Sequence, residues 1–303
     1  MHGIFLQLAL LLAALPTVIS NNYNFNVYNY DLNTPLFTPS GQLKQVEYAS
    51  EASSHSHPMV ILSQKLPKCS YTIMATKKQS TKAQSRIVSI PISQSNKTPL
   101  LFGINGVLSD CVSLLQLARN ELKSMKQYSG PSITLVKSSY LNPKSCAKRL
   151  ATAIANKCQQ HCFGGGIRPF GSEICICAID ENGDIDLYVT EPSGSIVERF
   201  HRDEYSHGVF VLGGEKRIRN GLQDLLAKDE RDDGSEQDID ESNALRESIQ
   251  STMNAFRKVY KEEKEKLGEY EQSNEICDDI DIVVIHSELG VFQVTREMLE
   301  QST

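Results

Sequence analysis

SDCVSLLQLARNELKSMKQ, residues 109–127, and NPKSCAKRLATAIANKC, residues 142–158, decide the fold between them. In the first stretch Cys111, Leu115, Ala118, Leu122 and Met125 recur at alternating steps of four and three, which lines them up on one side of a helix. Ser109 reads as its N-cap, and Gly130-Pro131 ends it. In the second, Asn142 stands at the cap and Pro143 in the first turn, where its missing N–H is not needed. Cys146, Leu150, Ala153, Ile154 and Cys158 form the stripe, and Gly164-Gly165-Gly166 stops the helix. Two helices follow each other with no strand between them.

Outward from this pair the pattern turns to strands. Upstream, residues 59–64, 69–76, 86–90 and 100–107 are β-rich. Pro39-Ser40-Gly41 signals a turn before a short helix over 43–54, in which Leu43, Val46 and Ala49 share a face. Pro58 argues against an early start to the strand that follows, because proline cannot donate to a ladder. Downstream, 174–179 and 185–189 form a hairpin around Asp180-Glu181-Asn182-Gly183, with Asn-Gly as the turn. Helical segments over 216–228 and 243–267 come next, then a buried strand over 280–285. Helices arriving in adjacent pairs exclude a doubly wound parallel sheet. Two antiparallel sheets with a helix pair on each outer face, a four-layer αββα sandwich of the α+β class, account for the order. Residues 21–303 form that single domain.

The chain has 303 residues, 40% hydrophobic and 22% charged, as a soluble domain with a sizeable core requires. Its net charge of -6 and the absence of a dense Lys/Arg cluster argue against nucleic acid as the partner. No cofactor is implied. Residues 4–15 are apolar apart from Gln7; the run is too short to span a bilayer and suits the h-region of a signal peptide over 1–20. No later stretch is long and apolar enough for a membrane. Residues 228–241 are densely acidic and read as a solvated surface insertion rather than a calcium loop, since Arg231 sits where a ligand is required. The eight cysteines read as core thiols, because the cluster of Cys158, His161, Cys162, Cys175 and Cys177 has no usual zinc spacing. His55 and His57 lack a third ligand beside them, so a metal is not expected.

Four segments then resemble one family. Tyr30-Asp31 with Phe37-Thr38-Pro39-Ser40-Gly41-Gln42-Leu43 and Gln45-Val46-Glu47-Tyr48-Ala49 is similar to the N-terminal signature of proteasome alpha-type subunits. Gly106-Val107-Leu108-Ser109-Asp110, Gly165-Gly166-Ile167-Arg168-Pro169-Phe170-Gly171, and Leu187-Tyr188 with Glu191-Pro192-Ser193-Gly194 resemble further motifs in family order. Residues 38–41, 75–79 and the ending around Leu289 to Phe292 resemble the alpha type 2 subunit. The resemblance implies an Ntn-hydrolase-type fold without catalysis. The family's beta subunits cut peptides with an N-terminal Thr freed from a Gly-Thr bond, its own amine helping activate the hydroxyl. This sequence has no Gly-Thr dipeptide, and removal of a signal peptide would expose Asn21.

What it implies instead is a gate and a docking surface. Tyr30, Asp31, Pro39 and Tyr48 match the residues that hold the family's pore open when an activator binds. Asp31 would accept a charge-assisted bond from a tyrosine hydroxyl, and Pro39 would pre-set the turn that returns Tyr48 towards Tyr30. Equally, Pro39 and Tyr48 anchor the helix on the ring face. Leu32 stands where the family often has Arg. Lys78, or Lys77, matches the lysine that pairs with the carboxylate of an activator tail; the alternative is two solvated lysines at a strand end. The expected partners are other alpha subunits in a seven-membered ring, beta-ring subunits, and a regulatory particle or other activators, in ubiquitin-dependent protein degradation. Cytoplasm and nucleus are the family's compartments; a working presequence would point to the secretory pathway or an endomembrane-derived compartment. Two rival readings stand: a secreted Ntn-type amidohydrolase, which needs a processed N-terminal Ser, Thr or Cys, and a divergent paralogue that binds partners without assembling.

Overall fold

The computed structural model describes residues 36–78, 85–92, 99–128, 142–164, 167–198, 207–229, 241–267 and 280–295. A short helix α1 (Lys44–Ser54) leads into strands β1 (Met59–Lys65), β2 (Ser70–Lys77), β3 (Ile87–Ile90) and β4 (Leu100–Gly106). The helix pair α2 (Leu108–Tyr128) and α3 (Pro143–Phe163) follows, then β5 (Ser172–Ile179), β6 (Ile185–Thr190), β7 (Ile196–Glu198) and β8 (His207–Leu212). A second pair, α4 (Lys216–Asp229) and α5 (Glu241–Leu267), precedes β9 (Ile280–His286) and β10 (Gly290–Gln293).

The strands form two five-stranded sheets, ordered β10-β9-β2-β1-β8 and β3-β4-β5-β6-β7, with every pairing antiparallel. Alternation along each strand sends one set of side chains between the sheets and the other outward. Met59, Ile61 and Met74 of the first sheet meet Leu101, Cys175, Cys177 and Val189 of the second in the central layer. Tyr71, Ile73 and Ala75 face outward onto Leu222, Leu226, Met253 and Phe256 of α4 and α5. Phe102, Ile104 and Ile176 pack on Leu115, Ala118, Leu122, Leu150 and Ile154 of α2 and α3. The expected αββα sandwich is the observed fold.

The stripe of α2 is buried throughout, and Asn142 caps α3 by accepting the Lys144 amide at 2.9 Å, with Pro143 in the first turn. Ser109 is not the cap of α2. The amides of Asp110 and Cys111 already donate to the Val107 carbonyl, so the cap position falls two residues earlier and the helix begins at Leu108. Nor does Pro58 weaken the strand after it. Pro58 lies just outside β1, which runs its full seven residues between two neighbours, and the Pro58 carbonyl accepts the Thr76 hydroxyl at 3.1 Å. The expected signal segment over 1–20 and the acidic core of 228–241 fall outside the described residues.

Candidate functional site

Two of the motifs meet at the start of α2. Asp110 is buried there, and its carboxylate accepts both terminal nitrogens of Arg168 at 2.7 Å and the Gly171 amide at 2.9 Å. Burial alone would raise the Asp110 pKa; the bonds from Arg168, Gly171 and Ser109 outweigh it and hold the carboxyl below its ordinary value. The Val107 amide donates back to the Gly171 carbonyl at 2.8 Å. That approach needs Gly106: its φ is +101°, and a Cβ there would stand 2.2 Å from the Gly171 oxygen. The fourth motif is fastened likewise. Gly194, at φ +82°, closes the turn after β6 with its α-carbon against α3, where a Cβ would lie 2.7 Å from the Ala155 carbonyl. These glycines and Asp110 set the ends of α2 and α3 against the second sheet.

The end of the sandwich beside α1 is closed by polar groups. Glu173 accepts the Ser53 hydroxyl at 3.1 Å and the Gly213 amide at 3.2 Å. Ser56 donates to the side-chain oxygen of Asn105 and receives the Gly106 amide at 3.1 Å. Burial pushes the Glu173 carboxyl above its ordinary value, and the bonds from Ser53 and Gly213 only partly offset this. Thus the segment 53–56 ties β4 and β5 of one sheet to the loop after β8 of the other. The hydroxyls of Ser53 and Ser56 are both engaged in hydrogen bonds that hold this lock.

Of the gate residues, Pro39 and Tyr48 are described and Tyr30 and Asp31 fall outside the described residues. Pro39 occupies the second position of a tight turn: Gly41, at φ +79°, donates its amide to the Thr38 carbonyl at 2.8 Å, and the Gln42 amide donates to the Thr38 hydroxyl at 3.0 Å. Tyr48 is 49% exposed on α1, a helix that buries only Ala49 and Ser53 fully. The two lysines differ. Lys77 is half-buried with its ammonium 5.1 Å from the centre of the Tyr260 ring, whereas Lys78 has left the strand and is exposed. Strand parity explains this, because Lys77 shares the α5-facing side of β2 with Tyr71, Ile73 and Ala75. That parity was readable from the sequence.

A further surface feature carries no signal in the sequence. Val107, Leu108, Val112, Phe163 and Ile167 are exposed apolar side chains at the adjoining ends of α2 and α3, around the Asp110–Arg168 pair. Leu36 and Phe37 add exposed apolar surface ahead of the Thr38–Gly41 turn. The seven described cysteines are buried thiols, and no group of His, Cys, Asp or Glu among the described residues is placed to hold a metal. No described helix is long and apolar enough to cross a membrane.

A two-sheet sandwich whose motifs lock the ends of its helices against the sheet has the fold of the proteasome-subunit class. Family comparison agrees. Residues 70–201 match the model of the proteasome subunit family, and residues 30–52 match the N-terminal signature of its alpha-type members. Among relatives, the chain is 29% identical to the alpha type-3 proteasome subunit of Dictyostelium discoideum, over 65% of this chain and 69% of that one. It is 26% identical to the alpha proteasome subunit of Methanocaldococcus jannaschii, over 67% of each chain. It is 26% identical to the alpha type-4 proteasome subunit of Spinacia oleracea, over 69% of this chain and 73% of that one. The chain belongs to the family of alpha-type proteasome subunits.

Proposed function

We propose that the chain works as a non-catalytic alpha-ring subunit of a 20S proteasome core, assembled with other alpha subunits and with beta-ring subunits. The observation that carries the reading is the apolar face made by Val107, Leu108, Val112, Phe163 and Ile167, fixed in place by the Asp110–Arg168 pair. Large apolar side chains gathered around a rigid junction mark a surface that another protein covers. The polar lock at Ser53, Ser56 and Glu173 fills the mouth of the sandwich and speaks against the amidohydrolase reading. In the same reading Tyr30, Asp31, Pro39 and Tyr48 serve the pore gate, and Lys77 and Lys78 receive the carboxylate of an activator tail. The likeness of residues 38–41 and 75–79 to alpha type 2 supports that subunit's position in the ring, and in this reading the compartments are cytoplasm and nucleus. A fluorescent fusion of residues 1–40 tests the last point: purely cytosolic fluorescence dismisses a working presequence.

The assembly test is co-expression of the tagged full chain with alpha and beta partners, followed by sedimentation. The wild-type chain is expected in a large particle with beta subunits, and the Val112→Asp/Phe163→Asp variant is expected to fold yet stay in the light fractions. A wild-type chain that remains light, alone with its tag, overturns the reading in favour of a free binding module.

A further inference from the structure

The helix α1 has little apolar hold on the sandwich. It rests on the Gly171 backbone through Ala49 and Ala52, and it fully buries only Ala49 and Ser53. Two hydroxyls at and just beyond its C-terminal end add polar contacts. Ser53 meets Glu173 of β5, and Ser56 meets Asn105 of β4, the residue paired with Glu173 across the ladder. The protons at Ser53 do not add up if Glu173 is ionised. A hydroxyl has one proton to give. Ser53 faces two oxygens that need it, the Ser50 carbonyl at 2.8 Å and the Glu173 carboxyl at 3.1 Å. The other carboxyl oxygen already accepts the Gly213 amide at 3.2 Å. A proton on the carboxyl oxygen that faces Ser53 satisfies every group. Glu173 then donates to the Ser53 oxygen, Ser53 donates to Ser50, and Gly213 keeps its acceptor.

We propose that Glu173 is a proton-operated latch for α1. Protonated, it donates to Ser53 and holds the helix on β5. Ionised, it competes with the Ser50 carbonyl for the Ser53 proton and loosens the last turn of the helix. The step is one proton passing between the carboxyl and solvent. Burial raises the Glu173 carboxyl above its ordinary value, and Glu191 after β6 adds to this. Against it stand the bonds that Ser53 and Gly213 give the ionised form, and Arg219 of α4. Asn105, opposite on β4, is uncharged. Ser53 is fully buried, so water does not supply the missing partner when the proton leaves. A group whose folded pKa is raised stabilises below its unfolded value, about 4.3, and loses that contribution as pH climbs through the folded value. The latch therefore closes in acid and slackens as pH rises. It acts on the helix that carries Tyr48, but the proton count depends on neither a gate nor a ring.

Hydrogen exchange of the full chain, read by mass spectrometry between about pH 4 and pH 8, tests the latch, with α2 as the internal reference. In wild type the protection of α1 relative to α2 is expected to fall about 2- to 10-fold across that range, the weight of one net hydrogen bond. Glu173→Gln puts an amide N–H where the acid proton stood and keeps an oxygen for Gly213. It is expected to hold the acid-side protection at every pH. Ser53→Ala is expected to weaken α1 and remove the pH dependence, whereas Ser56→Ala weakens α1 and keeps it. Carbon NMR of the Glu173 carboxyl, assigned by its loss in E173Q, is expected to show titration above about 4.3. Titration at or below that value, a wild-type α1 whose protection stays flat, or an equal fall in E173Q overturns the proposal. A fall that survives in S53A overturns it as well, and wild type with E173Q decides the matter if S53A does not fold. None of these readouts needs an assembled ring, so their failure leaves the subunit reading standing.

Discussion

Replacing Asp110 with Ala removes one carboxylate that three groups converge on. Two of its bonds come from Arg168 at 2.7 Å each and the third from the Gly171 amide at 2.9 Å. The Arg168 side chain is 62% exposed, so its charge returns to water when Asp110 goes; that part counts as a surface pair, about 0–1 kcal/mol. The Gly171 amide is buried and loses its acceptor, which costs about 1–3 kcal/mol. The expected destabilisation of D110A is therefore about 1–4 kcal/mol, with D110N losing less because an amide oxygen can still accept from Gly171. Urea unfolding of the full chain reads it as a lower midpoint with an unchanged slope. The pH dependence follows from the lowered carboxyl. A group whose folded pKa is depressed adds stability above its unfolded value, about 3.9, and loses it as pH falls through the folded value. Wild type should thus shed stability on acidification below about pH 4 that D110N never had. A D110A midpoint within error of wild type, or the same acid limb in D110N, would refute the reasoning.

Gly194→Ala forces a side chain into the left-handed region and drives a Cβ to 2.7 Å from the Ala155 carbonyl; a loss of about 2–4 kcal/mol in thermal or urea unfolding is expected, and less than about 0.5 kcal/mol would contradict the close approach. Glu173→Gln keeps a partner for Ser53 and an acceptor for Gly213 but cannot ionise. Because the folded Glu173 carboxyl is raised, wild type loses stability as pH climbs from about 4.3 through the folded value, so E173Q should gain on wild type between about pH 4 and pH 7; a constant difference across that range would rule this out. Burial raises the thiols of Cys111, Cys146, Cys158, Cys162, Cys175 and Cys177, so thiolate is scarce at about pH 8. Native iodoacetamide treatment followed by mass spectrometry should leave at least the seven buried cysteines unlabelled, and rapid labelling of any of them would contradict the packing.

Elements with their own periodicity were legible in the sequence. The stripes of α2 and α3 placed the helix pair, and Asn142-Pro143 its internal boundary. The three strands not anticipated, β7, β8 and β10, all lie at sheet edges. Short edge strands take their register from a neighbour, so His207–Leu212 reads as a strand only once β1 is beside it. Ser109 misled as a cap because composition does not show which carbonyl the first amides reach. The motifs pointed to Asp110 and Arg168, but nothing local reveals that residues 58 apart in sequence form one junction. The apolar face at Val107, Val112 and Phe163 was invisible for the same reason, since exposure belongs to the folded surface. That Lys77 lies on the α5-facing side of β2, by contrast, could have been read from strand parity alone.

Native mass spectrometry of particles pulled down through a tag on this chain, paired with a peptidase assay on the chain purified alone, asks directly whether it is a silent member of a ring. The account predicts complexes that contain other alpha subunits and beta subunits, and no hydrolysis by the isolated chain. A solitary chain that hydrolyses peptides, and stops when its terminal amine is blocked, would contradict it.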